Sequence, residues 1–437
     1  MKKFCLVIVL LLLIIGTAPF SQGSGFLIYE HGAAAQAMGG AFVAIANDPT
    51  AIFHNPAGLA WLKGTQVSLG STFILPTGSV TLPNWPYPPY NGTAIKQKDK
   101  TFVAPNFYLT HQFSNTVTAG IGVFFPYGLG TEWTNPGTFP LRYLGTKSDM
   151  QTYFINPTVS YKFSEKFAIG LGVSYIHSTL TLNLVRLVDI VHPVYGILLW
   201  RGDVPASLED ANGDAFGVNA GALYKAENFS LGFNWRSGFK IKYKGNIALD
   251  TSNVPAPLQP FVPTEGQVST AFNFPNILGV GAAFNVTKKF LVTADVHYIL
   301  WSTYKEYVID ITYTGLPKPA PETVTENWKD SVILRGGLQY QLTDKLALRA
   351  GILWDQTPQP AESADPNLPD ANRVAITGGF GYKFGHFVID ACFHHEVFSD
   401  RTSPNRHIYD IPGVGNLGEG VYSLSANLIG ISLGYVF

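Results

Sequence analysis

Charge is the first thing this sequence lacks. Lys, Arg, Asp and Glu together make up 14% of its 437 residues, well under the roughly 25% of an ordinary soluble domain. The 29 basic and 30 acidic side chains nearly cancel, which argues against a nucleic acid, whose binding needs a basic face, and none is expected as a partner. Cysteine is almost absent, with Cys5 and Cys392 alone. Cys5 lies in a segment expected to be removed, which leaves one thiol and no internal disulfide. Long apolar runs are missing too. Past the N-terminus the longest apolar patch, Leu187 to Trp200, is broken by Asp189, His192 and Pro193, and a spanning helix needs about 20 uninterrupted residues.

The N-terminus itself reads as a secretory signal, residues 1–23. Lys2 and Lys3 give the positive start, Leu6 to Ile15 the apolar stretch, and Ser21 and Gly23 the small residues before cleavage at Ser24. Cys5 precedes the apolar stretch, so it is not a lipid-attachment cysteine. Sec-dependent export is expected.

What is present is aromatic and glycine-rich: 30 Phe, 21 Tyr and 44 Gly. These residues fall into segments that alternate with a period of two, the pattern of a strand with unlike faces. Phe167, Ile169, Leu171, Val173 and Tyr175 oppose Ala168, Gly170, Gly172 and Ser174; Ile429, Ile431, Leu433, Tyr435 and Phe437 oppose Gly430, Ser432 and Gly434. The segments are about 10 residues long, enough to cross a bilayer when tilted. Aromatics gather at their ends. About fourteen candidate strands run from Gln66 to Phe437. Short turns such as Ala226-Glu227 and Thr343-Asp344 alternate with long connections, among them Asn183 to Asn212 and Asp250 to Glu265. An open sheet in lipid would leave edge groups unsatisfied, so the sheet must close. The fold class is therefore all-β, a transmembrane antiparallel β-barrel over residues 66–437 in the outer membrane. The terminal Phe437 resembles the signal read by barrel-insertion machinery, an expected partner of an expected monomer.

Residues 24–65 do not alternate. They are rich in Ala and Gly, with helical patches at Ala33 to Met38 and Thr50 to Phe53, and carry Phe26, Leu27, Phe42, Phe53 and Trp61. Such residues need burial, so a small helical hatch plugging the lumen is expected.

Chemistry is sparse. The Gly-x-Ser-x-Gly string Gly430-Ile431-Ser432-Leu433-Gly434 falls within the alternating last strand and not at a strand-to-helix elbow, so no catalytic residue and no enzyme is expected. Neighbours in a strand face opposite ways, so His394 and His395 do not share an ion easily; no metal and no cofactor is expected. The lumen face collects Arg236, Asp295, Arg335, Arg349, Asp355, Asp390, His394 and Glu396. Two readings stand side by side. The charges pair with one another, or Arg236, Arg335 or Arg349 receives a ligand carboxylate with its planar fork. Leu187, Val191, Ile197 and Leu199 belong to an apolar outer patch that either packs the loop on the rim or captures a hydrophobic ligand.

The ordered set of motifs resembles the FadL/TodX (OMPP1) family of outer-membrane transporters of hydrophobic compounds. Gly25-Phe26, Asn47-Asp48-Pro49 and Asn55-Pro56-Ala57 are similar to the family's hatch. Tyr127-Gly128-Leu129-Gly130-Thr131-Glu132-Trp133, Trp235-Arg236-Ser237, Trp328-Lys329-Asp330 and Leu353-Trp354-Asp355-Gln356-Thr357-Pro358 follow in family order. The resemblance implies passive transport, with long-chain fatty acids as first substrate and aromatic hydrocarbons as an alternative; a general water-filled porin is the rival reading, which the expected hatch argues against. It implies capture between the third and fourth outer loops, which look shorter here. It further implies a lumen site partly built by Phe26 and Leu27, and lateral exit through a kink in the third strand. In that strand, Val117 to Phe125, Gly120 and Gly122 weaken pairing or merely relieve crowding against the hatch.

Overall fold

The computed structural model describes residues 25–407, 410–411 and 415–437; the expected signal peptide lies outside the described residues. Fourteen antiparallel strands close one circuit: β1 (Thr65–Thr81), β2 (Phe102–Gln112), β3 (Val117–Phe124, resuming at Gly128–Glu132), β4 (Lys147–Ser164), β5 (Phe167–Val191), β6 (Leu198–Lys225), β7 (Phe229–Arg236 and Phe239–Leu249), β8 (Glu265–Phe274 and Ile277–Asn285), β9 (Phe290–Ile299 and Glu306–Tyr313), β10 (Ser331–Gln341), β11 (Leu346–Asp355), β12 (Arg373–Phe384), β13 (Phe387–Phe398) and β14 (Gly420–Val436). Each pairs with its sequence neighbours, and β14 pairs back onto β1 from Gln66↔Val436 to Thr81↔Val421. Closure joins the last strand to the first, so neither is left as an open edge, as a wall in lipid requires.

The two faces of the wall divide as the alternation predicts. On β5, Ile169, Leu171, Val173 and Tyr175 are exposed while Ala168, Gly170, Gly172 and Ser174 are buried. The exposed set is an apolar outer band. At the short-turn end, rings from Phe384, Phe387, Tyr435 and Phe437 make a chain with centroids 4.6–5.2 Å apart, the place of an interfacial aromatic girdle.

Residues 25–64 lie inside the circuit. Their backbone bonds side chains from around the ring: Ala33 N–H donates to Ser432 on β14 at 3.0 Å, Gly39 N–H to Thr377 on β12 at 3.0 Å, and Val43 N–H to Asp295 on β9 at 2.8 Å. Two single-turn helices, α1 (Ala33–Gln36) and α2 (Ala51–His54), precede a 3₁₀ segment at Pro56–Trp61.

One expectation about the rim is corrected. Residues 183–212 are no long loop; β5 and β6 run on as a hairpin, paired from Leu182↔Leu208 to Val191↔Leu198. Beyond the membrane no lipid face enforces alternation, so Leu182 to Trp200 is apolar on both faces and gives no period-two signal.

Candidate functional site

The inner segment is built to meet the wall. Asn55 N–H₂ donates to Val43 O at 2.8 Å and to Ala222 O of β6 at 3.1 Å, and its Oδ1 accepts from Ala57 N–H at 3.2 Å. Pro56 supplies the fixed φ of the 3₁₀ turn. The wall opposite is glycine because the approach is close. A Cβ on Gly170 would stand 2.2 Å from the Pro56 carbonyl carbon, and one on Gly221 2.1 Å from Asn55 Oδ1.

His31 and His54 sit at the centre of this packing, with His54 Nε2–H donating to His31 O at 2.8 Å. Burial, reinforced by nearby Arg236, pushes both imidazoles down to about 3. Both are therefore neutral at any pH near 7.

A cavity of about 240 Å³ lies where the inner segment meets β3. Phe26, Leu27 and Ile28 form its floor, Ala104 and Leu129 its sides, and Arg373, Glu30 and Glu396 its polar wall. Phe26 packs among the rings of Tyr127, Phe274, Trp301, Tyr304 and Trp328 at centroid distances of 4.7–6.3 Å. The outer β3 half and the inner segment share backbone bonds. Ile28 N–H donates to Pro126 O at 2.8 Å and Gly128 N–H to Phe26 O at 3.0 Å, with Leu27 and Tyr127 forming an antiparallel bridge. These bonds satisfy groups that a broken strand would otherwise leave orphaned.

The wall beside this cavity is interrupted. The β2–β3 ladder stops at Phe107↔Val123. Above it, Phe102–Asn106 pair with β1, and Gly128–Glu132 pair with β4. Pairing across the interruption returns at Lys98 N–H, which donates to Glu132 O at 2.7 Å, at the Gln97–Trp133 bridge, and at Thr134 N–H, which donates to Lys96 O at 3.3 Å. The result is a window bounded above and below. The Phe102 ring closes it, lying so near Gly130 that a Cβ there would stand 2.1 Å from the ring carbons. The interruption is at Phe125–Tyr127, not at Gly120 and Gly122, where the ladders to β2 and β4 are unbroken. Those two glycines face the inner segment instead: added Cβ atoms would press on Ile52 at 3.0 Å. Pro126, which cannot donate to a ladder, is the sequence signal for the true break.

A second cavity, about 570 Å³, opens at the rim. Leu187, Val191 and Leu199 of the β5–β6 hairpin face Phe261 and Val262 of the next connection. Ile197, expected on this surface, instead points into solvent at the hairpin tip, 61% exposed and outside the lining.

The three arginines named from the sequence do not reach either cavity. Arg236 stacks on Phe53 at 5.1 Å and donates to Phe53 O. Arg335 stacks on Tyr29 at 4.2 Å and donates to Gly39 O at 2.9 Å. Arg349 pairs with Asp390 at 2.6 Å. They hold the inner segment and the lumen network. The cation in the lumen cavity is Arg373, bonded to Asp355 at 3.1 Å and Glu396 at 3.0 Å. The cation in the rim cavity is Arg186, paired with Glu322 at 3.1 Å. Phe102, Glu30 and Arg373 were not singled out from the sequence, since a contact across a window or between inner segment and wall has no local pattern.

The family model "Outer membrane protein transport protein (OMPP1/FadL/TodX)" matches residues 14–437. The "Long-chain fatty acid transport protein" of Salmonella typhi is 25% identical, over 85% of this chain and 86% of that protein. The "47 kDa outer membrane protein" of Pasteurella multocida is also 25% identical, over 90% of this chain and 89% of that one. Among solved structures, a Pseudomonas aeruginosa FadL homologue superposes with a TM-score of 0.78 at 18% identity, covering 95% of this chain and 100% of its own. The Pseudomonas putida toluene transporter TodX gives 0.70 at 18%, covering 96% and 100%. With a family match over nearly its whole length and a closed fourteen-stranded barrel, the chain belongs to the OMPP1/FadL/TodX family of outer-membrane transport proteins, which are channels rather than enzymes.

Proposed function

We propose that this protein carries a hydrophobic small molecule passively across the outer membrane. The molecule lands in the rim cavity, moves to the lumen cavity beside Phe26, and leaves sideways past Phe102 while the inner segment keeps the lumen shut to solutes. The window between β2 and the outer half of β3 is the observation that carries this reading. Each buried CH₂ contributes about 0.8 kcal/mol, so an apolar path that ends in lipid never returns the ligand to water.

For the substrate, two classes are named among the similar proteins: long-chain fatty acids and toluene. Long-chain fatty acids are the first expectation from sequence. The ion pairing favours an uncharged compound, because Arg186 and Arg373, the cations lining the two cavities, already face carboxylates. A ligand carboxylate would have to displace one of these partners, and an unpaired buried charge is costly.

The test is a cysteine pair, Phe102→Cys with Gly130→Cys, joined by a short bifunctional reagent. The cross-linked barrel should bind toluene in detergent yet stop its uptake, and Phe102→Ala should speed uptake. Normal uptake through the cross-linked window would place the exit elsewhere. Mass spectrometry of the ligand held by the membrane-extracted protein decides the class: a fatty acid would reject the uncharged substrate.

A further inference from the structure

We propose that Glu30, His394 and Glu396 form a binding site for one divalent transition-metal ion of the zinc class, joining the inner segment to β13 in the wall of the lumen cavity.

Three observations carry it. The first is convergence. Glu30 from the inner segment meets His394 and Glu396 from the lumen face of β13, and one ligand atom from each lies within 4.8 Å of the others. All three residues are buried, 1–5% exposed.

The second is how their bonds are distributed. Glu30 Oε2 accepts from Tyr29 N–H at 2.9 Å, and Glu396 Oε2 accepts from Arg373 Nη1 at 3.0 Å. The other oxygen of each, Oε1, makes no hydrogen bond, and neither do the two ring nitrogens of His394. His394 Nε2 stands 3.2 Å from Glu396 Oε1 but not in hydrogen-bond geometry. Buried polar atoms are nearly always satisfied. Here the unsatisfied ones lie on the three residues that converge, while the satisfied oxygens have the outer-shell bonds that orient metal-binding carboxylates.

The third is charge. Glu30, Glu396 and Asp355 surround a single guanidinium, Arg373. Carboxylates outnumber the guanidinium in this group, and a divalent ion would add positive charge to it. The next cation along the lumen, Arg349, is matched by Asp390.

One imidazole with two carboxylates suits zinc and its first-row neighbours rather than calcium or magnesium, which take oxygen alone. The fourth position would open on the cavity. His395, whose ring turns to the outer face and bonds Asn427 at 2.8 Å, is not part of the site. The ion would fix Glu30, three residues from the Leu27–Tyr127 bridge, and so would hold the cavity floor in place.

The test uses the full mature barrel, refolded in detergent, stripped with chelator and titrated with Zn²⁺. Wild type should retain one equivalent by elemental analysis. Glu30→Gln and His394→Asn, each checked for heat-modifiable mobility, should bind at least tenfold more weakly, and His395→Asn should bind as wild type. X-ray absorption of the wild-type zinc form should show one imidazole among oxygen ligands, a readout that stands even if a variant misfolds. No retained equivalent, unchanged affinity in both variants, a two-imidazole shell, or tighter binding of Ca²⁺ than Zn²⁺ would each overturn the site.

Discussion

The outer face of the wall and the lumen face obey different physics, although they alternate along the same strands. Outside, lipid asks only for apolar side chains, and Leu171, Phe233, Ile376 and Ile431 answer independently of one another. Inside, each position is fitted to one neighbour: Gly170 to Pro56, Asp295 to Val43, Arg335 to Tyr29 and Gly39. The outside is a solvation rule and tolerates exchange. The inside is a three-dimensional fit between the wall and an inner segment, and tolerates little.

The largest expected break in this contrast is removal of the inner segment. Deleting Ser24 to Gly64 should leave a folded, heat-modifiable barrel, since the ladder and the apolar band remain. Its conductance for small hydrophilic solutes in planar bilayers should rise by on the order of tenfold, as an emptied barrel of this strand number leaves an aqueous lumen. Unchanged conductance would mean that the segment does not close the lumen.

Acid should separate the two regions next. His31 and His54 are held neutral, near 3 rather than the usual 6.5. Because the folded value is the lower one, the released segment binds more protons below 6.5, and packing is lost as pH falls from there toward 3. Each pH unit costs about 1.4 kcal/mol per imidazole, so at pH 5 the pair costs about 4 kcal/mol. Repulsion from the facing guanidiniums of Arg236 and Arg335 adds to burial within that lowering. Conductance openings should appear below pH 6.5 and grow toward pH 4, and vanish in a His31→Gln, His54→Gln variant.

This contrast also explains what the sequence disclosed. Fourteen strands and short turns at one end were legible, because the two-residue period follows from lipid on one side. The Asn55-Pro56-Ala57 turn was legible from local backbone chemistry. Of the two readings of Gly120 and Gly122, weakened pairing and relief of crowding against the inner segment, the unbroken ladders and the nearness of Ile52 favour the second. Pro126 was the better marker of the window. Which arginine faces the cavity was illegible: Arg236, Arg335 and Arg373 share a face, and only the path of residues 25–64 decides which ones are covered.

Adjacent positions on β5 sharpen the comparison at single-residue scale. Leu171→Arg should weaken insertion into lipid vesicles by about 2–4 kcal/mol at mid-membrane depth, without raising conductance. Gly170→Ala should insert normally but displace Pro56, at about 1–3 kcal/mol for overpacking, and should raise conductance. The same readout for both would erase the distinction between the faces.

The smallest effect tests whether two-faced logic persists beyond the membrane, on the β5–β6 hairpin. Leu199 lines the rim cavity opposite Phe261, whereas Ile197, two residues earlier, is exposed at the tip. Both are apolar, and composition alone assigns them the same role. If the rim cavity captures ligand, Leu199→Ser removes part of an apolar lining worth about 1 kcal/mol to the ligand, roughly fivefold in affinity. Ile197→Ser should leave it unchanged. The measurement is initial uptake of toluene at limiting concentration, where capture rather than exit controls the rate, with assembly checked by heat-modifiable mobility. Equal loss in both variants would mean that the hairpin acts through its general apolar character. No loss in either would return Leu187, Val191 and Leu199 to a packing role, holding the hairpin against Val262 and Ile311 at the rim.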